Sequence, residues 1–422
     1  MQVKQVERWM RLALGALVLL FVGIIYAWAI LKTPFAGEFG WDAGQLSMNY
    51  TLTIVAFCIG GFIAGMLSNK TSPRLRLIVA AVLLFGGFFL ASRLTGDNIW
   101  LLYLTYGVMS GTGVGFAYTT IIGLTNAWFP DKKGLCSGVL LMSFGLTSLI
   151  IGNLADLMIK TESIGWRTTF LVLAIAEGVV LVVASLFIKA PAEGTIFPLA
   201  KSSEKPKSSG GSSRRSATSA KLSKSRKAAE VPREYTVTEM IARPSFWLLF
   251  VFLVLLAAVG SAAIALAADI LLGLGIEAPA TIIGIISIFN GLGRLASGAL
   301  FDKFGLRNTQ YLISALAISA PLTVMLAVYM NSMPIGVFGL CLCYFSYGFA
   351  PTTSSVFTSS FYGMKNFTQN FSVMNLLLVP APFAAVMAGT VYAGTGSFLV
   401  PFMILAACSF LGLALNLMIN QA

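Results

Sequence analysis

The 422-residue sequence contains no histidine, few charged residues and only five cysteines. Charged residues make up 10% of the chain, against about 25% in a soluble domain, so they are too few to cover a water-facing surface. The absence of histidine excludes a His-based catalytic triad and any His metal ligand. The cysteines lie in apolar stretches without the spacing of a disulfide framework. We therefore expect neither an enzyme nor a bound cofactor or metal.

Apolar residues dominate what is present, at 57% of the chain, and the mean hydropathy is +0.85. A helix needs about 20 mostly apolar residues to cross a bilayer, and the sequence contains twelve such runs. They predict an all-α integral membrane protein with twelve transmembrane helices. The predicted spans are 11–31, 48–68, 75–94, 99–121, 134–154, 168–189, 245–270, 281–301, 308–329, 334–356, 369–391 and 397–419.

The lysines and arginines predict the orientation of these spans, because basic residues are enriched on the cytoplasmic side. With both termini inside, 23 of the 28 basic residues fall in inner segments, four fall in outer loops, and Arg294 lies within a span. We therefore expect a multi-pass protein of the cytoplasmic (inner) membrane with both termini in the cytoplasm.

A basic segment separates spans 6 and 7. Residues 201–233 hold ten Lys/Arg and two Glu, which accounts for +8 of the net charge of +12. This segment is rich in Ser and Gly and poor in large apolar residues, so it should be partly disordered and close to anionic membrane lipids rather than bound to nucleic acid. The predicted organisation is a bundle at 1–190, a linker at 191–243 and a second bundle at 244–422.

The two halves contain a repeated motif. Residues 65–74 and 298–307 both read Gly-x3-[Asn/Asp]-Lys-x3-Arg, at an offset of 233 residues. Parallel six-span repeats are an established plan for transporters that bind substrate between their halves. The second copy resembles the signature loop of the major facilitator superfamily, and the first has Asn69 where Asp is usual. This resemblance implies two pseudo-symmetric six-helix bundles around a central cavity.

Five further segments, spread over both halves, resemble the oxalate/formate antiporter family. They are Tyr26-Ala-Trp28, Gly111 to Tyr118, Trp128 to Gly138, Pro244 to Trp247 and Phe289 to Arg294. That family is related to the monocarboxylate transporters, which include bacterial lactate carriers. The resemblance implies a secondary active transporter for small carboxylates.

Arg294 is the strongest candidate for substrate binding. A guanidinium within a span costs several kcal/mol unless it is paired or hydrated, and the repeat places Gly61 at the equivalent position. Its planar fork fits a carboxylate, and monocarboxylate transporters carry an Arg at this position. The alternative is a structural ion pair with Asp269 or Glu177.

Asp269 and Glu177 are the two acidic residues within the predicted spans, and both are candidates for proton coupling. Asp269 closes span 7 and precedes the span that bears Arg294, so we place it first, with Glu177 in the middle of span 6 next. A solvated helix end is the alternative for Asp269. Asn290 precedes Arg294 by one helical turn, where monocarboxylate transporters usually have a proton-carrying Asp, and Asn cannot titrate.

Four aromatic residues, Tyr26, Trp28, Tyr118 and Tyr347, match positions that line the central cavity in the resembled family. Helix packing is the alternative for each of them. Oxalate antiporters carry a second cation, a Lys in span 11, where this sequence has Leu378. A single buried cation suits a substrate with one carboxylate, because a second carboxylate would be unpaired.

These features predict a monomeric carrier for a small monocarboxylate of the lactate or pyruvate type. We expect proton symport by alternating access. An oxalate/formate-type anion exchanger without proton coupling is the alternative, and a transporter-like sensor is a third hypothesis.

Overall fold

The computed structural model describes residues 5–95, 98–191, 234–277, 279–381 and 383–419. Most of the predicted linker, residues 192–233, lies outside this described part of the chain. The described residues form helices and connecting turns, and no strand occurs among them. Residues 234–243, which lead into span 7, contain one short helix, Val237–Ile241, which begins with a capping box at Thr236.

Eleven helices are long and apolar enough to cross a membrane. One of them, Ile282–Met330, contains two spans, because Gly305 interrupts it with a non-helical backbone (φ 75°, ψ 173°). The twelve predicted spans are therefore confirmed. In order, spans 1 to 12 are Gln5–Leu31, Gly44–Met66, Pro73–Ala91, Ile99–Asn126, Lys133–Lys160, Gly165–Phe187, Pro244–Gly273, the two parts of Ile282–Met330, Met333–Phe361, Phe367–Thr395 and Leu399–Met418.

Several helices extend beyond their predicted apolar runs. Span 1 begins six residues earlier than predicted, and span 5 ends six residues later, at Lys160. Both extensions are polar turns with an ion pair four residues apart, Glu7–Arg11 at 3.3 Å and Asp156–Lys160 at 2.6 Å. Such pairs stabilise a helix end, but they are invisible to a search for apolar runs.

Close crossings at glycine hold spans 2 and 4 together. A Cβ atom at Gly60 would lie 2.5 Å from the carbonyl oxygen of Thr112, and one at Gly115 would lie 2.2 Å from that of Phe57. Only glycine permits backbones to approach this closely, as at small-residue helix interfaces in membranes.

Spans 8 and 10 repeat this crossing 233 residues later. A Cβ atom at Gly293 would lie 2.1 Å from the carbonyl oxygen of Phe345, and one at Gly348 would lie 2.2 Å from that of Asn290. All four positions are the counterparts of those in the first half. The sequence repeat is therefore also a repeat of helix packing.

The repeated motif residues join the two halves at one end of the bundle, where span 6 ends and span 7 begins. We call this end the linker face. The Asp302 carboxylate accepts hydrogen bonds from the backbone N–H groups of Gly134 (2.9 Å) and Leu135 (2.7 Å) at the start of span 5. Its counterpart Asn69 donates weakly to the side chains of Asn366 and Gln369 at the start of span 11, at 3.4 and 3.3 Å.

A second set of polar contacts joins the halves deeper in the bundle. The hydroxyls of Ser137 and Ser355 lie 2.8 Å apart, and Asn126 contacts Ser137 at 3.0 Å and Ser355 at 3.4 Å. Nearer the linker face, the Lys133 ammonium donates to the Ser359 carbonyl at 3.1 Å. These contacts close the path between the halves on the linker face.

Candidate functional site

A small cavity lies between the two halves, and Arg294 is on its wall. The other lining residues come from spans 1, 2, 4, 5, 10 and 11. They are Tyr26, Phe57, Tyr118, Phe144, Tyr347, Ala350, Pro351 and Leu378. A larger groove, between spans 3 and 6, is lined by apolar residues alone, including Phe85 and Val182, and offers no polar group to orient a ligand.

The backbone around Arg294 is held firmly. Glycines at 293 and 348 bring spans 8 and 10 into contact, as described above. The Thr352 hydroxyl of span 10 donates to the Arg294 carbonyl at 3.1 Å, and the Ser297 hydroxyl donates to the same oxygen at 3.0 Å. On the other side, a Cβ atom at Gly138 of span 5 would lie 2.8 Å from this oxygen. The backbone that carries the guanidinium is therefore fixed where spans 5, 8 and 10 cross closely.

The Arg294 side chain is only 2% exposed. Its Nη1 donates to the Leu141 carbonyl at 2.8 Å, and its Nε donates to Asn290 Oδ1 at 3.3 Å. The Tyr26 ring centroid lies 5.8 Å from the guanidinium carbon. No acidic residue in the described chain forms an ion pair with it. Two of its five N–H donors are used in these bonds, which leaves donors for an anion in the cavity.

Aromatic rings form most of the wall around this cation. Tyr118 packs against Phe144 with ring centroids 4.9 Å apart and against Phe57 at 5.1 Å, while Tyr26 meets Phe144 at 5.3 Å. Tyr347 packs directly against Gly260 of span 7, where an added Cβ atom would lie 2.3 Å from the tyrosine Cβ. The wall is therefore apolar except for the guanidinium and the phenol hydroxyls.

The structure brings together five of the predicted site residues. They are Arg294 and Asn290, which are hydrogen bonded, and Tyr26, Tyr118 and Tyr347, which line the cavity. Leu378 of span 11 also lines it, at the end of a 3₁₀ turn, Asn375–Leu378, which precedes Pro380.

Three predicted residues lie elsewhere. Trp28 is buried in the first half, where its indole donates to the Leu46 carbonyl at 2.9 Å and its ring lies 4.5 Å from that of Tyr106. Asp269 is exposed in the last turns of span 7. Glu177 is completely buried in span 6, and it is not among the residues that line the cavity.

Sequence reasoning missed several lining residues. Phe57, Phe144, Ala350 and Pro351 are apolar residues in apolar spans, so no local pattern separates them from ordinary packing positions.

Comparisons with known proteins agree with this architecture. The family model of the Major Facilitator Superfamily matches residues 12–386. An uncharacterised transporter of this type from Escherichia coli, YhjX, is 26% identical over 88% of this chain and 85% of its own length. The oxalate:formate antiporter of Oxalobacter formigenes is 23% identical over 86% of this chain and 80% of its own length.

Two weaker similarities extend the comparison. Monocarboxylate transporter 12 of Xenopus laevis is 26% identical over 34% of this chain and 31% of its own length. The crystal structure of the transporter FucP in its outward conformation matches 99% of this chain and all of its own at a TM-score of 0.65 and 15% identity, which supports the fold alone. Together with the twelve spans and the repeat, the family match shows that this multi-pass membrane protein belongs to the Major Facilitator Superfamily of transporters.

Proposed function

We propose that the protein is a secondary active transporter of small monocarboxylates of the lactate or pyruvate type. One observation carries this proposal: a buried guanidinium without a carboxylate partner lies on the wall of the cavity between the halves. A buried cation needs a counter-charge or water, and the Arg294 fork has donors free for a carboxylate. The names of the oxalate:formate antiporter and of monocarboxylate transporter 12 support an organic anion as the substrate.

The rest of the cavity wall favours one carboxylate over two. Leu378 and the rings of Phe57 and Phe144 are apolar, and among the described residues Arg294 has no second cation beside it on the cavity wall. A second carboxylate would be buried without a partner, which is strongly unfavourable. The short apolar tail of a lactate-type acid would instead contact these rings, while Tyr26, Tyr118 and Tyr347 offer hydroxyls.

Alternating access would require the contacts on the linker face to break. The bonds among Asn126, Ser137 and Ser355, and those from Asp302 to span 5, lie between Arg294 and the linker face. We propose that they form when this side is closed and break when it opens. The concentration of basic residues there supports a cytoplasmic orientation in the inner membrane, with the protein acting as a monomer of two six-helix halves joined by the linker 191–243.

Proton symport is the mode of coupling that we propose, and anion exchange is the second candidate. The oxalate:formate antiporter matches over most of both chains, which favours exchange. In contrast, Arg294 is the one charged side chain among the described lining residues, and Asn290 beside it is neutral. The site therefore lacks the second positive charge that a divalent anion such as oxalate would need, which argues against oxalate exchange. Acidic residues within the spans, Asp269 and Glu177, are the candidates for carrying the proton.

Reconstitution in proteoliposomes tests this proposal. Labelled lactate should accumulate when the outside is made acidic, without any anion preloaded inside. Unlabelled pyruvate should compete for uptake, and oxalate should compete poorly. Uptake that requires preloaded formate or oxalate, and that ignores the proton gradient, would establish the exchanger instead.

A further inference from the structure

Glu177 is the most unusual buried group outside the substrate cavity. It lies in the middle of span 6 and is 0% exposed, and neither carboxyl oxygen has a hydrogen-bond partner among the described residues. The Tyr106 hydroxyl of span 4 is also buried without a partner, and it lies within electrostatic range of Glu177. An isolated carboxylate there would cost several kcal/mol, so burial favours the neutral, protonated form of this group.

Among the described residues, no charged side chain forms a hydrogen bond or an ion pair with Glu177. Span 6 packs against spans 1 and 3 and the end of span 5. The charged residues of these spans lie near the two ends of the bundle, and most of them are paired there. They are Glu7, Arg8 and Arg11 in span 1, Arg74 and Arg76 in span 3, and Lys133, Asp156 and Lys160 in span 5. On span 6 itself, Arg167 pairs with Glu38 at 2.8 Å, about 15 Å along the helix from Glu177 at 1.5 Å per residue.

The helical repeat does not require an acid at this position. The counterpart of Glu177 at the 233-residue offset is Phe410 in span 12, which is 53% exposed on the outer surface of the bundle. The same argument separates Arg294 from its counterpart Gly61. The repeat therefore requires neither ionisable group. Glu177 lies in the first half and Arg294 in the second, and neither has an ionisable counterpart in the other half.

Two irregular helical segments connect Glu177 to the cation. Tyr106 lies in a π-helical stretch of span 4, Tyr103–Ser110, and its ring contacts Trp28 at 4.5 Å. Trp28 directly follows a 3₁₀ turn of span 1, Gly23–Ala27, which carries Tyr26 over Arg294. Such segments are frequent at functional sites and hinges. Here one ring contact, between Tyr106 and Trp28, lies between the surroundings of Glu177 and the turn that carries Tyr26.

We propose that Glu177 is the carboxyl that binds the transported proton and that Tyr106 is its hydrogen-bond partner when it is ionised. This inference rests on the proposed monocarboxylate symport. The carboxylate takes one proton from water on the side where substrate enters, becomes a neutral acid, and returns that proton to water on the other side. Only the O–H bond forms and breaks. In the ionised state the Tyr106 hydroxyl donates to the carboxylate, which shifts its ring against Trp28 and so moves the turn that carries Tyr26.

The alternative carboxyl, Asp269, is less suited to this role. It is exposed in the last turns of span 7, and no ion pair between it and Arg294 occurs in the described residues. Glu177, in contrast, can be charged only if its surroundings change.

Two measurements on the reconstituted full chain test the inference. The first is the accumulation of labelled lactate under an inward proton gradient of one pH unit. If one proton enters with each lactate, the wild-type protein should accumulate lactate about tenfold. Counterflow, the exchange of labelled for unlabelled lactate without a gradient, is measured in parallel. The second uses no substrate and records the infrared C=O band of a protonated, weakly bonded carboxyl. The variants are Glu177→Gln, Tyr106→Phe and Asp269→Asn. The matched control is Asp156→Asn, which removes a partly exposed helix-end carboxylate that pairs with Lys160.

We expect Glu177→Gln to lose the infrared band and to reduce accumulation to the equilibrium ratio while counterflow remains measurable. Tyr106→Phe should shift the pH dependence of accumulation. Unchanged accumulation in Glu177→Gln would overturn the inference, as would loss in Asp269→Asn alone. If the wild-type protein shows neither counterflow nor accumulation with lactate, the proposed function fails; absence of the infrared band refutes the assignment of Glu177 separately.

Discussion

Replacement of Arg294 by alanine removes the guanidinium from the cavity wall. The residue is 2% exposed, so a bound carboxylate would lose its partner in a largely dehydrated site. Truncation of one member of a buried charge pair costs about 2–5 kcal/mol. At about 1.4 kcal/mol per tenfold change, lactate binding should weaken by about 30-fold to several thousand-fold.

The same change also affects stability, and the two effects must be separated. Arg294 donates to the Leu141 carbonyl and to Asn290, and an acceptor left buried without a partner costs about 1–3 kcal/mol. The melting temperature should therefore fall as well. Arg294→Lys retains the charge but not the fork, because an ammonium is a point charge, so it should recover only part of the affinity.

Equilibrium binding of labelled lactate to the purified protein, with the melting temperature measured on the same sample, is the appropriate assay. Arg307→Ala is the matched control, because Arg307 is exposed and its Nε contacts only the Tyr311 hydroxyl, at 3.0 Å. If Arg294→Ala binds lactate as tightly as the wild-type protein does, Arg294 is not the carboxylate site.

Three further predictions follow from other parts of the structure. Leu378→Lys adds a second cation to the cavity wall, so the ratio of oxalate to lactate affinity in competition binding should rise by about tenfold or more, equivalent to about 1.4 kcal/mol; an unchanged ratio would contradict the one-cation argument. Gly298→Val places a Cβ where it would lie 2.1 Å from a span-5 carbonyl, so transport and melting temperature should both fall, whereas Gly284→Ala, which has open space around it, should change neither. The pKa of Glu38 is held below its ordinary value because the Trp166 indole and then the neighbouring arginine donate to its carboxylate. This contribution to stability is present above the ordinary glutamate pKa and is lost as the pH falls through the lowered one, so the acid-side decrease in melting temperature should be smaller in Glu38→Gln.

Apolar composition predicts the spans because a bilayer demands long apolar helices, and this demand is independent of tertiary contacts. The ends of the helices need not be apolar, because they can lie outside the hydrocarbon core. Polar turns such as the one ending at Lys160 are held by pairs within the helix and by contacts with other segments, so the apolar run stops before the helix does. The join between spans 8 and 9 was placed correctly because Gly305 and its polar neighbours interrupt the run.

Reasoning from the residues alone identifies a candidate only where a residue contradicts its surroundings, whereas Tyr26, Tyr118 and Tyr347 were predicted from the family resemblance. Arg294 and Glu177 are ionisable groups in apolar spans, so the cost of burying their charged forms identifies them. Phe57 and Phe144 suit an apolar span equally well on any face, and only the packed structure places them on the cavity wall. Trp28 was assigned to the cavity by resemblance, yet its indole donates to the Leu46 carbonyl within the first half.

The repeat shows how a position that serves packing in one half can bear a buried cation in the other. Gly61 packs against span 4, where a Cβ atom would lie 2.8 Å from the Thr119 hydroxyl, so a long side chain has no room there. In the second half its counterpart is Arg294, and the counterpart of Thr119 is Thr352, whose hydroxyl instead donates to the Arg294 carbonyl. The neighbouring glycines retain the tight crossing in both halves. The scaffold therefore holds the backbone in place while a single position, used for packing in one half, supplies the cation in the other.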